Sequence, residues 1–243
     1  MDEAPKLTSF AAPRGGASRA SGGRARAMSF LSRWFGAPTP TPDARRWVVL
    51  DVETTGLDTR HDHLLAVAAV ALHFDGEQAA PRIALHDSFE AVLHHESAST
   101  DKDNILVHGI GVGAQRAGAP PPEVLRAFAQ WVGTAPLIAF HAAFDQAMIT
   151  RAMNSFVGQA LPNPWLDLDP VARGLQPEVR AFALDDWLEH YGIECAVRHQ
   201  AAADTLATAE LLLRLWPAAR ERRCASFAEL SELARSERWL AAR

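Results

Sequence analysis

The segment over residues 47–57 reads WVVLDVETTGL and gives the strongest structural signal in the 243-residue chain. Branched and aromatic side chains dominate its first half and Gly56 ends the run, which predicts a strand over residues 47–53. Because successive side chains of a strand leave opposite faces, Asp51 and Glu53 share one face. The segment therefore predicts a strand that carries two carboxylates on the same side.

The neighbouring segments extend this strand into a sheet. The apolar run over residues 64–72 ends at a turn, and residues 83–93 alternate more loosely, so both are predicted strands that return antiparallel. A short apolar strand is predicted over residues 137–140. Helical spacing is found over residues 122–131, 144–153, 185–191 and 200–216, the last predicted to stop before Pro217. Three antiparallel strands followed by alternating strand and helix indicate an α/β fold with a mixed sheet flanked by helices.

Two further acids occupy suggestive positions. Asp145 follows the short strand, at the kind of strand end where sites gather in α/β sheets, although it is also placed to cap a helix. Asp204 lies on the apolar stripe of the helix over residues 200–216, and no basic residue lies on that stripe. A core-facing carboxylate needs a partner, and a divalent cation shared with Asp51 and Glu53 is a candidate. The alternative for that pair is a strand edge in solvent.

His199 is the candidate general base. It precedes Asp204 by five residues, and five helical steps rotate a side chain by about 140°. Both residues therefore cannot point into one site from within one regular helix, so His199 is predicted at or before the helix start, on a loop. A neutral imidazole there can take a proton from water near neutral pH. A surface histidine or a helix cap is the alternative.

Together these residues resemble the three motifs of the DEDDh group of 3′-to-5′ exonucleases, which includes the epsilon proofreading subunit of bacterial DNA polymerase III. The resemblance covers residues 47–216 and is strongest in its first motif. Its sequence elements are Asp51-Val52-Glu53-Thr54-Thr55-Gly56-Leu57, Phe144-Asp145, and His199 with Asp204. It implies an RNase H-like fold.

Two other segments bear on the resemblance. Residues 107–110, Val-His-Gly-Ile, resemble a family segment between the first and second motifs. The second motif departs from the family, since His-Asn-Ala is usual where Phe140, His141 and Ala142 stand, whereas the acid is kept. The lining beside Asp145 is therefore expected to differ from the family pattern.

The resemblance implies roles for individual residues. Two Mg²⁺ or Mn²⁺ ions would be held by Asp51, Glu53, Asp145 and Asp204, with His199 deprotonating the attacking water. The residues expected to contact substrate are Thr54, Thr55, Gly56, Leu57, His108 and Phe144.

The expected function is a metal-dependent 3′-to-5′ exonuclease for single-stranded or frayed nucleic-acid ends, with DNA preferred and a role in proofreading or repair. A DNA polymerase is a candidate partner. The alternatives are an exoribonuclease that trims RNA, and a non-catalytic module that binds a polymerase or nucleic acid.

Charge is distributed unevenly along the chain. The formal net charge of −5 combines +5 in residues 1–46, −13 in residues 47–213 and +3 in residues 214–243. The Arg-rich start lacks a sustained apolar period and is predicted to be a disordered extension, with a transit peptide and a start at Met28 as alternatives. The nuclease domain is predicted over residues 47–216.

The remaining segment, residues 217–243, is predicted to be a helical tail. Ser226 and Glu229 form a capping box, and Leu230, Leu233 and Leu240 give an apolar face that is expected to pack on the domain rather than on a partner.

No apolar run of about 18 residues occurs, which excludes a membrane-spanning helix. Cys195 and Cys224 lack the spacing of a zinc site or a disulfide framework. We therefore expect a soluble, cytoplasmic protein without membrane contact. The paired side chains Asp167/Asp169, Asp185/Asp186, His61/His63 and His94/His95 are expected in solvated loops.

Overall fold

The computed structural model describes residues 45–76, 79–97 and 99–241. The predictions for the first 44 residues, including the start at Met28, lie outside that range. The elements in chain order are β1 (Arg46–Thr54), β2 (Leu64–His73), β3 (Arg82–Val92), α1 (Lys102–His108), α2 (Val112–Ala117), α3 (Pro121–Val132), β4 (Leu137–Ala139), α4 (Ala143–Phe156), β5 (Trp165–Asp167), α5 (Leu168–Leu175), α6 (Leu184–Tyr191), α7 (Ala201–Glu221) and α8 (Phe227–Ala241).

The strands form one sheet in the order β3-β2-β1-β4-β5. β1 pairs antiparallel with β2, and β2 with β3, whereas β4 runs parallel to both β1 and β5. The predicted mixed sheet with three antiparallel strands first is confirmed. Because β1 and β4 are parallel, their carboxyl ends lie at the same edge, which brings together the residues that end β1 and those that follow β4.

Helices cover both faces of the sheet. α3 and α4 pack on the face that buries Leu50 and Val52, and the helices from α5 to α8 pack on the face of Val49. On this second face, Ala66 and Ala68 of β2 lie opposite Glu53 and Asp51. These small side chains let α7 approach closely, and the hydroxyl of Thr205 donates to the carbonyl of Ala68 over 3.1 Å.

The prediction that the long helix stops before Pro217 is wrong. α7 continues through Pro217 to Glu221 and keeps Leu215, Trp216 and Ala219 in the core. An internal proline costs about 3 kcal/mol because it removes a backbone donor and clashes with the preceding turn. Burial of the side chains on both sides of Pro217 offsets that cost.

Four short elements were not predicted from sequence, namely α1, α2, β5 and α5. α1 has only seven residues, too few to form a stable helix alone. Its ends are fixed by the Asp101 side chain, which accepts from the amides of Asp103 and Asn104, and by Gly109, whose φ of 73° suits glycine. α1 therefore depends on capping contacts, which hydrophobic periodicity does not register.

α8 packs on the rest of the described structure, as expected. The Ser226 hydroxyl accepts from the amide of Glu229 over 3.3 Å, and Glu229 Oε2 accepts from the amide of Ser226 over 3.0 Å, which confirms the capping box. Leu230 is fully buried. Phe227 lies edge-on to Trp47 of β1, with ring centroids 5.5 Å apart. Leu240, expected on the same apolar face, is exposed.

Among the described residues, none of the helices combines the length and the apolar character needed to cross a bilayer.

Leu230→Ala tests the packing of α8. Because Leu230 is fully buried, we expect its truncation to lower the free energy of unfolding by about 3 kcal/mol. Leu240→Ala, in the same helix but 57% exposed, should change it by less than about 0.5 kcal/mol. Urea unfolding followed by tryptophan fluorescence measures both. Equal costs for the two variants would show that α8 is not part of the core.

Candidate active site

β1 carries the first two acids. Asp51 and Glu53 are half-buried on the face covered by α7, as the alternation along the strand predicts, while Val52 between them is buried on the other face. The Glu53 carboxylate accepts a hydrogen bond from the amide of Ala201, the first residue of α7. A helix N-terminus carries partial positive charge and stabilises an acid in this position.

α7 carries Asp204 in its first turn, buried to 6% exposure. One carboxylate oxygen accepts the backbone N–H of His199 over 2.9 Å. The other accepts hydrogen bonds from the Arg198 guanidinium and, over 3.5 Å, from the thiol of Cys195. The position of Asp204 on the apolar stripe of the helix had predicted that its side chain faces the core. Its partner Arg198 was missed because it comes from the preceding loop.

Arg198 also pairs with Asp185 in the first turn of α6. The guanidinium therefore joins α6 to the acid on α7, and both carboxylates raise the pKa of Arg198 above its ordinary value against the opposing effect of its own burial. Arg198 supplies the positive charge closest to the acids, with only 27% of its side chain exposed.

Asp145 completes the set of acids. It lies in the first turn of α4, just after β4, and is 4% exposed. Its carboxylate accepts backbone hydrogen bonds from Val52 and from its own amide. The cap residue of α4 is Ala142, which makes no side-chain capping bond, so Asp145 does not serve as the N-cap.

The four acids interact through their charges. Burial first and the charge of Asp204 second raise the pKa of Asp51 from 3.8 to about 8. Burial, together with Asp51 and Asp204, raises the pKa of Glu53 from 4.5 to about 8. Burial and the charge of Asp51 raise the pKa of Asp145 well above its ordinary value. Three elements therefore bring their carboxylates into one cluster whose ionised form needs added positive charge.

The donor set fits a hard divalent cation, because Mg²⁺ and Mn²⁺ prefer carboxylate oxygens. Within the described ranges no three His, Cys, Asp or Glu side chains already stand at metal-ligand spacing. Arg198 instead engages one oxygen of Asp204. For Asp204 to offer that oxygen to a metal, the guanidinium must turn away.

His199 lies on the loop before α7, where its spacing from Asp204 predicted it. Its imidazole is exposed and has no hydrogen-bond partner among the described residues. Its φ of 61° falls in the left-handed region, which is uncommon for a residue other than glycine. The hydrogen bond from its backbone to Asp204 holds this conformation, and the side chain is left free to meet a ligand.

The predicted substrate segment, residues 54–57, forms a tight loop after β1. The Thr54 hydroxyl donates to the carbonyl of Gly56 over 2.7 Å, and the Thr55 hydroxyl donates to the Asp62 carboxylate over 2.9 Å. Both hydroxyls therefore shape the loop. Leu57 is 86% exposed at its tip, free to contact a ligand.

α1 closes one side of this loop. The Asn104 amide donates to the carbonyl of Thr54 over 2.9 Å. His108, at the end of α1, is buried. Its Nδ1 accepts from the amide of Ile110, and its Nε2 has no hydrogen-bond partner among the described residues. Phe144, beside Asp145, is half-buried.

The expectation of solvated loops is wrong for several of the acid and histidine pairs. Asp169 is buried and pairs with Arg173 over 2.9 Å, a contact that the four-residue spacing could have suggested. Asp167 ends β5, caps α5 and accepts the amide of His141. His95 bonds the carbonyl of Leu64, and Asp185 binds Arg198.

This architecture and its four acids define an RNase H-like nuclease. The model of the exonuclease family RNase_T matches residues 48–212. The chain belongs to the DEDD family of 3′-to-5′ exonucleases.

Two similar curated proteins are polymerases. The chain is 33% identical over 168 residues to the DNA polymerase III PolC-type of Clostridium perfringens, a match that covers 68% of this chain and 11% of the relative. It is 32% identical over 188 residues to the DNA polymerase III PolC-type of Bacillus subtilis, a match that covers 76% of this chain and 12% of the relative. The matched region thus spans about one ninth of the length of these relatives.

Solved structures agree on the fold. Exonuclease I of E. coli, in complex with a dT13 oligonucleotide, superposes with a TM-score of 0.60 at 16% identity, covering 73% of this chain and 42% of that one. Cell-death related nuclease 4 superposes with a TM-score of 0.58 at 17% identity, and the match covers 70% of this chain and 63% of that nuclease.

The close approach of Asp62 to Gly56 predicts a coupled pair. A Cβ at position 56 would lie 2.5 Å from Asp62 Oδ2, so we expect Gly56→Ala to cost about 1–3 kcal/mol of unfolding free energy. In an Asp62→Ala background the obstacle is gone, and the added cost should fall below about 0.5 kcal/mol. A double-mutant cycle by urea unfolding measures the coupling. Equal costs in both backgrounds would contradict the contact.

Because the acids of the cluster repel one another, removing one of their charges is predicted to stabilise the metal-free protein. In EDTA at pH 9, above the pKa of about 8 of Asp51 and Glu53, Asp51→Asn removes repulsion, and we expect the melting temperature to rise by about 3 °C. Added Mn²⁺ should raise the melting temperature of the wild type more than that of the variant, because the variant binds the ion less tightly.

Asp103→Asn is the matched control, because Asp103 is an exposed acid on α1. It should leave both melting temperatures unchanged. A melting temperature of Asp51→Asn that falls in EDTA would contradict repulsion within the cluster.

Proposed function

We propose that this chain hydrolyses phosphodiester bonds one nucleotide at a time from the 3′ end of single-stranded or frayed DNA. The observation that carries the proposal is the convergence of Asp51, Glu53, Asp145 and Asp204, from β1, α4 and α7, beside a histidine with a free imidazole. Hydrolysis of a phosphodiester requires an activated water and compensation of negative charge, and such a set of groups can provide both.

The four carboxylates would hold two Mg²⁺ or Mn²⁺ ions. When bound, these ions would neutralise charge on the phosphate and lower the pKa of the attacking water. His199, fixed through its backbone to Asp204, would take the proton from that water through its exposed imidazole. The position of His199 therefore depends on the same acid that helps to hold the ions.

The loop over residues 54–57 would receive the terminal nucleotide. The Thr54 hydroxyl already donates to Gly56 and the Thr55 hydroxyl to Asp62. The loop backbone and the exposed side chain of Leu57 would therefore contact the nucleotide. An apolar side chain packs against any base, so this contact gives little sequence preference. His108 and Phe144 would support the loop and the acid rather than read the base.

The similar proteins support DNA as the substrate. Two of them are DNA polymerases and one structural neighbour was solved with a single-stranded oligonucleotide. We accordingly propose a proofreading or repair role, with a DNA polymerase as partner, in the cytoplasm. A matched RNA oligonucleotide tests the choice, because a faster rate on RNA would assign the chain to RNA trimming.

Asp145→Asn tests the catalytic assignment. With Mn²⁺ we expect the wild type to shorten a 5′-labelled single-stranded DNA from its 3′ end and to spare a circle of the same sequence. Asp145→Asn removes one buried carboxylate and should lower kcat by about 10²- to 10³-fold. Denaturing gel electrophoresis of time points measures both.

Asp103→Asn serves again as the control and should retain full activity. Unchanged cleavage by Asp145→Asn would refute the assignment. An inactive wild type that still binds the DNA would favour a non-catalytic binding module.

A further inference from the structure

A cavity lies between α4 and the segments that enter β2 and leave β3. Its volume is about 230 Å³. Met148 and Phe156 of α4 contribute to an apolar floor, and the rim carries His63, His95 and Arg151. Phe156 is 44% exposed there, which is unusual for an aromatic side chain on a packed helix. None of the lining residues is acidic.

The basic rim is preformed. The rings of His63 and His95 stand with centroids 5.5 Å apart, and His95 is oriented by a 2.9 Å contact between its Nε2 and the carbonyl of Leu64. Arg151 makes no ion pair with any described residue. Asp62, the acid next to His63, is engaged by the Thr55 hydroxyl and the amide of Asp58. Three nitrogen-bearing side chains thus face a cavity without a carboxylate to match them.

His63 is partly buried at the rim. Burial first, then the proximity of His95 and Arg151, lower the pKa of His63 below its ordinary value, against the opposing effect of Asp62. Arg151 is the group of the rim that is charged at any physiological pH, and an anionic group placed in the cavity would pair with its guanidinium.

The cavity is coupled to the candidate site through two elements. The Thr55 amide donates to the His63 carbonyl over 2.9 Å, and the His63 amide donates to the Thr55 hydroxyl over 2.8 Å. On α4, Ala152 in the lining of the cavity follows Asp145 by seven residues, so it lies on the same side of the helix about 10 Å further along the axis, with Arg151 adjacent to it. A strand whose 3′ end lies at the acids can therefore reach the cavity with a nucleotide close to that end.

We propose that this cavity binds a nucleotide of the substrate strand that precedes the 3′-terminal one. Arg151 contacts its phosphodiester, since a guanidinium pairs well with phosphate oxygens. Its base packs against the His63–His95 pair and Phe156, in the manner of the stacking platforms that hold single strands without sequence preference. The proposal rests on the proposed exonuclease function and adds a second point of attachment for the strand.

The test compares two substrates that differ in upstream nucleotides. A dT10 oligonucleotide has them, whereas the p-nitrophenyl ester of thymidine 5′-monophosphate has none. We expect Arg151→Ala to raise KM for dT10 about 10-fold more than KM for the ester. It should also reduce the slope of log KM for dT10 against log salt by about 0.7, because one phosphate contact with a single strand is lost.

Two further variants sharpen the comparison. Phe156→Ala should also raise KM for dT10 more than KM for the ester. It should leave the dependence of KM on salt unchanged, because it removes a packing surface and no charge. Arg126→Ala is the matched control, since Arg126 is an exposed arginine on α3. It should leave KM for both substrates, and the slope of log KM against log salt, unchanged. Melting temperatures confirm that each variant is folded.

The outcomes separate the two proposals. If Arg151→Ala raises KM equally for dT10 and for the ester, the proposed nucleotide site in the cavity is overturned. It is also overturned if the variant changes only the inhibition by free thymidine 5′-monophosphate. If the wild type hydrolyses neither substrate, the exonuclease function fails. The pocket is then judged by the anisotropy of labelled dT10 in EDTA, where unchanged binding by Arg151→Ala overturns it and a roughly 10-fold loss supports it.

Discussion

The mutual repulsion of Asp51, Glu53, Asp145 and Asp204 is the constraint on which the rest of the structure depends. A fold that gathers four acids at one sheet edge carries an electrostatic cost that packing elsewhere must offset. The central position of β1, buried on both faces, supplies that packing. Packing of the core beneath the acids therefore offsets their repulsion.

Arg198 partly compensates this repulsion with its positive charge. By pairing with Asp204 and Asp185 it neutralises one acid and ties α6 to the start of α7. His199 is the next residue and bonds the same Asp204 through its backbone. The charge state of Asp204 therefore affects both the loop that carries the candidate base and the acids that face it.

The sequence predicts the central features of the site because they are local or periodic. Asp51 and Glu53 follow from strand alternation, and Asp204 from its place on the helix stripe. The partners of these acids were beyond sequence reasoning, because Arg198 reaches Asp204 from an irregular loop, and His95 meets His63 across a separation of more than thirty residues. The course of α7 through Pro217 was missed for a related reason, since tertiary burial outweighed a local rule.

Charge also shapes how a nucleic acid can approach. The acidic central segment discourages broad phosphate contact, so under the proposed function attraction would come from cations held by the acids and from local groups such as Arg151. We therefore expect modest affinity for long nucleic acid and a preference for short or frayed ends.

The most direct measurement is the anomalous difference map of crystals soaked in Mn²⁺. The account predicts two peaks in contact with the carboxylates of Asp51, Glu53, Asp145 and Asp204, with Arg198 turned away from Asp204. Absence of both peaks at saturating Mn²⁺, with the Arg198–Asp204 pair intact, would contradict it.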